Sequence, residues 1–391
     1  MKNTTSGALQ ATVDQKEMVK VLAASLGATD RRGTMPVLAN VLIENNGSGL
    51  FLSTTDLETS FRGHCAGKAK SHGAVSVPAH ALYTVLKAMK SGPVKLESGE
   101  NKSLIVSQDK TNTRINGLPV DQVPPISPFI DRAAAVEVDA KQLRDMIGQV
   151  IPGMSTDDLR YHLTAVKWKI LPADDDQMSE LRLVSTDGHR LMLAQQVIPE
   201  IVYLDLGPEC LIPAHGMREL FKFLEKEKSV FLCCQKPFLT AQTDDKQLQI
   251  RLVPDKKFPD YRQIIPAAFA FEVVADRKAL LETIKRVSLV STERFKGIVF
   301  KINGKKQEMT VTFDNPEIGQ TWETLPVEIQ GKGFPKGKIF EFGFNARFFI
   351  EPLNLIGSEK VVMSVIDGDR PVKLSGQGEA GYFNVIMPMS L

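Results

Sequence analysis

The chain has 391 residues, 43% of them apolar and 24% charged, with 48 basic residues against 46 acidic ones for a net charge of +2. This excludes a wholly disordered chain, predicts two to four domains, and points to no particular polyanionic partner through net charge alone. No run of about 18 uncharged apolar residues predicts a transmembrane helix, the polar start Met1 to Gly7 lacks the apolar core of a secretion signal, and Cys65, Cys210, Cys233 and Cys234 form no CxxC, so a reduced cytoplasmic protein without metal, cofactor or membrane attachment is expected.

The predicted elements repeat along the chain. Ala11 to Val19, Val136 to Leu143 and Phe271 to Leu280 each read as a short alternating strand, then an aspartate (Asp14, Asp139, Asp276), then an apolar pattern of helical period. The aspartates suit helix N-caps, since a carboxylate accepts from the free amides of a first turn. Leu52-Ser53-Thr54-Thr55-Asp56 is echoed by Leu183-Val184-Ser185-Thr186-Asp187 and, more weakly, by Val311 to Asn315. Val77-Pro78-Ala79-His80 is echoed by Ile212-Pro213-Ala214-His215, and Phe342 to Arg347 keeps the same strand-then-helix order. Each unit closes on an apolar strand with prolines, around Leu118 to Pro125, Leu252 to Pro266 and Val385 to Met389. Three domains are therefore expected, 1–130, 131–264 and 265–391, with about nine residues of flexible extension at the start.

Six helices are predicted over 16–26, 81–90, 141–150, 216–228, 277–288 and 346–356. They hold fifteen Lys and Arg against seven acids, a net +8 that leaves −6 for the strands and loops. If the helices share a face, that face attracts phosphates. The cations come without a base-reading motif or an aromatic stacking platform, which favours backbone contact over sequence readout.

Catalytic motifs are scarce. Gly304-Lys305-Lys306 lacks the spacing and hydroxyl of a phosphate loop, and Gly331-Lys332-Gly333-Phe334-Pro335-Lys336-Gly337 lacks the dinucleotide spacing. The six histidines show no metal-ligand clustering, and Asp174-Asp175-Asp176 reads as a solvated loop. Ser185, Asp187 and His189 alternate along one predicted strand and would share a face, the basis of an alternative reading as a DNA-acting hydrolase. A protein scaffold unrelated to DNA is the third reading.

Thr186-Asp187-Gly188-His189-Arg190-Leu191, Phe258-Pro259-Asp260-Tyr261-Arg262 and the terminal Val385 to Leu391 closely resemble the bacterial DNA polymerase III beta subunit family, the beta sliding clamps. Arg160 to Leu163, Glu293 to Gly297 and Asp314 to Glu317 fit in the same order, so the likeness runs from about residue 10 to 391. The resemblance implies an α+β fold of three repeated clamp domains, each with two helices inside and antiparallel sheet outside. Two chains would join head to tail in a ring around double-stranded DNA. It implies no enzyme activity; the partners would be the clamp loader, the replicative polymerase, and other DNA polymerases and repair proteins carrying clamp-binding motifs.

By resemblance the DNA contacts are Arg32, Lys87, Arg160, Tyr161 and Lys222, and the charge pattern adds Lys20, Arg144 and Lys285. Also by resemblance, a peptide pocket is lined by Leu163, Thr186, Gly188, His189, Arg190, Leu191, Pro259, Ile264, Phe295, Asn345, Phe348, Val385, Ile386, Met387, Pro388 and Met389. Gln263 and Ser390 stand where the family often has arginine, Asp369-Arg370-Pro371 replaces a less charged stretch, and His162 replaces a frequent tyrosine. The acidic run often used across the dimer is diluted to Ile318-Gly319-Gln320-Thr321-Trp322-Glu323. Leu289 and Val290, meeting the strand from Lys110 through Thr113 to Ile115, are expected to carry more of the interface.

Overall fold

The computed structural model describes residues 8–45, 49–157, 160, 163–171, 178–208, 210–254, 258–292, 296–335, 337 and 339–389. Its six α-helices are α1 (Gln15–Ser25), α2 (Ala79–Ala88), α3 (Ala140–Val150), α4 (Ala214–Phe223), α5 (Arg277–Val287) and α6 (Arg347–Leu355). All strand pairs among the described residues are antiparallel. No helix among them is long and apolar enough to cross a membrane.

The expected aspartates start the first helix of each repeat. Asp14 accepts from the amides of Lys16 at 2.9 Å and Glu17 at 3.2 Å, Asp139 from Gln142 at 2.6 Å, and Asp276 from Ala279 at 2.7 Å. Each carboxylate satisfies donors that a helix leaves unpaired. Two predicted helix ends lie too far along the chain. α2 stops at Ala88, and α4 stops at Phe223 because a turn follows in which Lys226 takes a φ of 68°. With these bounds the six helices hold twelve Lys and Arg against five acids, so the segregation of positive charge survives at net +7.

The chain divides into two compact units. The first takes Met1–Arg144, Tyr203–Asp205 and His215–Leu252. Its eight-stranded sheet runs Val136–Asp139, Ser229–Gln235, Phe238–Gln242, Lys246–Arg251, Thr59–Cys65, Leu50–Thr55, Asn40–Asn45 and Gly73–Pro78. Four strands come from the first repeat and four from the second, joined where Leu248 registers with Phe61. Thr59–Cys65 alternates buried and half-buried residues along its length, the period-2 pattern of a strand with one face on the core. A five-stranded sheet runs Gly67–Ser71, Gln10–Asp14, Pro93–Ser98, Leu104–Gln108 and Thr111–Ile115. α1 and α2 lie side by side and bury Met18, Leu22, Leu82 and Leu86.

The second unit takes Asp145–Val202, Leu206–Ala214 and Val253–Leu391. Its nine-stranded sheet runs Cys210–Pro213, Ala165–Leu171, Glu180–Thr186, Arg190–Val197, Tyr382–Ile386, Val372–Gly376, Lys360–Val365, Phe271–Asp276 and Glu328–Gln330. Second-repeat and third-repeat strands meet where Leu191 registers with Val385. A four-stranded sheet, Gly319–Pro326, Glu308–Asn315, Gly297–Asn303 and Ile339–Asn345, packs an aromatic core in which Phe300 lies 5.0 Å from Phe349 and 5.6 Å from Phe342 between ring centroids.

In the first unit the start of α4 meets the turn after Leu50–Thr55 through one ion pair. His215 Nε2 lies 3.0 Å from Asp56, although the alignment is poor for a hydrogen bond. The Asp56 contact and the nearby Glu219 carboxylate hold the imidazole above its ordinary pKa, against partial burial, which pulls the other way. A histidine raised in the folded state contributes stability that is complete below its unfolded pKa and is lost as pH rises through the folded one. The thermal midpoint of the native chain should therefore fall as pH rises from about 6.5 through neutrality, and His215→Gln should flatten that segment of a calorimetric pH series. An unchanged slope would show that the pair is not coupled to folding.

Candidate functional sites

Strand Glu180–Thr186 returns as Arg190–Val197 through Asp187, Gly188 and His189. Thr186 Oγ1 donates to the Arg190 carbonyl at 2.6 Å and accepts from the Gly188 amide at 3.1 Å, while Asp187 accepts from the amides of His189 at 2.9 Å and Arg190 at 3.0 Å. Gly188 sits at a φ of 89°, a conformation that strains any residue with a Cβ. This corrects the expected strand face of Ser185, Asp187 and His189. The strand ends at Thr186, the buried Ser185 hydroxyl donates to the Val150 carbonyl at 2.6 Å, and Asp187 is engaged by the turn. Ser185 and His189 therefore belong to different local structures and do not form a nucleophile–base pair.

Arg190 is the buried centre of this region. Its Nε donates to Asp187 at 3.0 Å, the rest of the guanidinium bonds Glu351 on α6 and the Pro152 carbonyl, and the group stacks 4.5 Å from the Phe348 ring centroid. Arg347 Nε in turn donates to Glu351 at 2.6 Å. The guanidinium is thus committed to fastening the turn to α6 and positions its neighbours. The sequence reading counts Glu351 only among the acids of the predicted helices and does not name Pro152. The local signals were weak ones, the three-residue spacing of Asp187 and Arg190 and the four-residue spacing of Arg347 and Glu351.

The last strand, Tyr382–Ile386, lies beside this turn. Arg190 registers with Ile386 and Leu191 with Val385, the Met387 amide donates to the His189 carbonyl at 2.9 Å, and the Met389 amide to the Gly343 carbonyl at 2.8 Å. Leu191 and Val385 form a buried floor with Val184, Phe258 and Tyr261. Above the core, Ile264, Met387 and Met389 remain 36%, 38% and 45% exposed. Pro259 is exposed and Pro388 is half-buried. The Asn345 side chain accepts from the Arg347 amide at 3.1 Å just ahead of α6, and the buried Leu163 amide donates to the Arg160 carbonyl at 2.7 Å. A cleft of about 260 Å³ lies alongside, lined by Met154, Asp157, Arg160, His189, Arg190 and Phe348 among others. Gln263 turns its amide onto Asp260 at 3.3 Å, and Asp369 and Arg370 donate their amides to Asp367 at 3.1 and 2.9 Å. Phe295, Tyr161, His162 and Ser390 lie outside the described residues.

In the first unit, Lys20 of α1 and Lys222 of α4 line one cleft of about 960 Å³. Lys222 also reaches Glu219 at 2.7 Å. Arg144 lies 4.1 Å from the Phe221 ring centroid and donates to that residue's carbonyl at 3.3 Å. Arg32 is exposed in a turn held by Asp30, and Lys87 is exposed in the last turn of α2, 5.6 Å from the Tyr83 ring centroid. In the second unit, Arg160 pairs with Asp157 at 3.4 Å and Lys285 with Glu282 at 3.3 Å.

Lys110 precedes strand Thr111–Ile115, which contains Thr113 and forms one edge of the five-stranded sheet. Leu289 is 82% exposed and Val290 half-buried, its carbonyl accepting from Asn315 at 2.8 Å. Among the described residues no group of three or more His, Cys, Asp or Glu is placed to hold a metal ion.

Truncating Arg190 leaves two carboxylates beside a buried, unpaired site, a loss typically of about 3 kcal/mol. Arg190→Ala should lower the urea midpoint accordingly and Arg190→Lys by less, since one donor cannot replace a planar fork. Equal midpoints for all three proteins would remove the fastening role.

Three family models match in succession: DNA polymerase III beta subunit N-terminal domain over residues 9–127, central domain over 137–260 and C-terminal domain over 262–390. Among curated relatives, the beta sliding clamps of Pseudomonas putida and Pseudomonas aeruginosa are 27% and 28% identical, each alignment covering 97% of this chain and 99% of the relative. Among solved structures, the sliding clamp from Bartonella birtlesii bound to griselimycin superposes with a TM-score of 0.89 at 25% identity over 98% of this chain and all of that one. The beta subunit from Thermotoga maritima gives 0.86 at 26% over the same shares. With all three domains matched in order along the whole length, the chain belongs to the DNA polymerase III beta subunit family.

Proposed function

We propose that the chain is a non-enzymatic DNA sliding clamp of the bacterial cytoplasm, working as a homodimeric ring of six domains, three from each copy, with boundaries near 130 and 264. The single observation that carries this reading is the match of all three domain models in order, and the net +7 on the six helices supports it physically. Lys20, Arg32, Lys87, Arg144, Arg160, Tyr161, Lys222 and Lys285 are the proposed contacts to the phosphate backbone. Such contacts are screened by salt and carry no sequence information, so they hold duplex DNA without fixing the ring in place. Topology then retains the DNA, and the ring raises a bound polymerase's effective concentration at the primer end.

The groove around Leu191, Val385, Met387 and Met389 is the proposed docking point for clamp loader, replicative polymerase, and other DNA polymerases and repair proteins. Flexible methionines over a fixed apolar floor adapt to varied peptides. The proposed seam between copies sets Thr111–Ile115 of one against the region of Leu289 and Val290 of the other. Ile318 and Trp322, 59% and 64% exposed on or beside the edge strand Gly319–Pro326, extend that apolar surface. Glu323 is not free for the seam, being held by Arg286 at 2.6 Å and Thr283 at 2.8 Å.

Loaded on nicked circular plasmid, the protein should stay with the DNA through gel filtration and leave once the circle is linearised; equal retention on both forms would refute encirclement. Leu289→Ala with Val290→Ala should move the sedimenting species from dimer to monomer, because apolar seams lose packing on truncation. An unchanged dimer would displace the seam from these residues. Deleting residues 387–391 should abolish peptide binding by calorimetry and leave the dimer intact, whereas undiminished binding would displace the groove.

A further inference from the structure

The two glycine–lysine strings that fail as nucleotide loops in the sequence come together in the third repeat. Asn303, Gly304, Lys305 and Gln307 of one turn, with Gly331, Lys332, Phe334, Pro335 and Gly337 of a later segment and Ile329 and Ile339, line a cleft of about 710 Å³ that is separate from both the proposed groove and the basic helices in its residues. This volume lies within the roughly 300–1,000 Å³ of ordinary ligand clefts.

The walls are held by specific contacts. Asn303 Oδ1 accepts from the amides of Lys305 at 3.1 Å and Lys306 at 3.2 Å. Gln307 donates to the Gly304 carbonyl at 2.9 Å and accepts from the Ile329 amide at 2.7 Å, tying the turn to the strand across the cleft. Phe334 packs edge-on against Phe271 with centroids 5.0 Å apart, and a Cβ on Gly304 would come within 2.5 Å of the Phe334 ring. Glycine at 304 thus lets the ring close one side of the cleft. The Gly333 amide anchors the segment to the Ala270 carbonyl at 3.1 Å.

The lining chemistry selects a ligand. Phe334, Pro335, Ile329 and Ile339 present apolar surface, and Ile339 is 57% exposed. Lys305 and Lys332 are exposed, make no ion pair among the described residues, and share the cleft with no described carboxylate. A phosphate backbone would need the cations and leave the apolar wall idle; an apolar peptide would do the reverse. We propose that this cleft is a second partner-docking site, taking a short acidic segment of a protein whose apolar side chain enters against Phe334 and Ile339 while flanking carboxylates meet Lys305 and Lys332.

The test uses the full chain and a fluorescein-labelled peptide, Glu-Glu-Ile-Glu-Glu, followed by anisotropy at low ionic strength, with Lys-Lys-Ile-Lys-Lys as control. Saturable binding of the acidic peptide alone is expected. It should weaken by about tenfold in Lys305→Glu with Lys332→Glu, a typical cost of reversing charges at a complementary site, and should also weaken in Phe334→Ala. It should persist in Lys20→Ala with Lys222→Ala and after deletion of residues 387–391. The cleft variants should still be retained on circular plasmid, which separates this inference from the clamp reading. No saturable binding, equal binding by the Lys305/Lys332 variant, loss in the Lys20/Lys222 variant, or displacement by duplex DNA would each overturn the proposal.

Discussion

An exposed strand edge presents unpaired amides and carbonyls, and most of this architecture follows from where those edges are matched. The last strand of the second repeat's hairpin series, Lys246–Arg251, pairs with Thr59–Cys65, and Arg190–Val197 pairs with Tyr382–Ile386. Each junction merges strands of successive repeats into one sheet, so a repeat cannot be removed without opening a long row of backbone groups to water. The compact units consequently do not follow the repeat boundaries: the second repeat contributes strands to both. Sequence repeats record duplication, whereas compact units record hydrogen bonding and burial.

The same constraint explains where the proposed groove lies. Because the chain's final strand is the partner of Arg190–Val197, the residues just beyond it, Met387 to Met389, must run across the turn at Gly188 and His189. They arrive there as backbone that is already hydrogen-bonded, to His189 and to Gly343, with their side chains still partly in water. Arg190 then fixes the turn to α6 from beneath. The proposed groove thus sets partly exposed thioethers over a buried floor, a division that would suit recognition of several related peptides with little ordering cost in the backbone.

What was legible in the sequence was what is local. Asp14, Asp139 and Asp276 announce helix starts because a cap acts within three residues of itself, and all three do so. The end of α4 was misjudged because Leu224 to Lys228 keeps a helical composition, and only the backbone at Lys226 shows the turn. Ser185, Asp187 and His189 looked like one strand face because alternation cannot reveal where a hairpin turns. The Thr186 and Asp187 side chains that make the turn are also ordinary strand-edge residues. Arg190 and Glu351 are 161 positions apart, and no pattern in one sequence connects them. The groove residues were named through family resemblance, and the fastening beneath them emerged only from coordinates.

The cations proposed to meet the phosphate backbone would be weaker anchors individually than their number suggests. Lys222, Lys285 and Arg160 each have a carboxylate within 4 Å, and Arg144 is stacked on Phe221, so part of their charge is already answered inside the protein. Lys20, Arg32 and Lys87 are exposed. For a site meant to grip one sequence this would be poor economy, since affinity would be lost without a gain in discrimination. For a protein that must hold DNA while moving along it, partial neutralisation flattens the energy from one phosphate to the next and lowers the barrier to each step. In the proposed ring, binding strength would be assigned to closure, which costs nothing as the DNA slides, and to the proposed seam between copies, where apolar burial is less sensitive to salt than charge pairing.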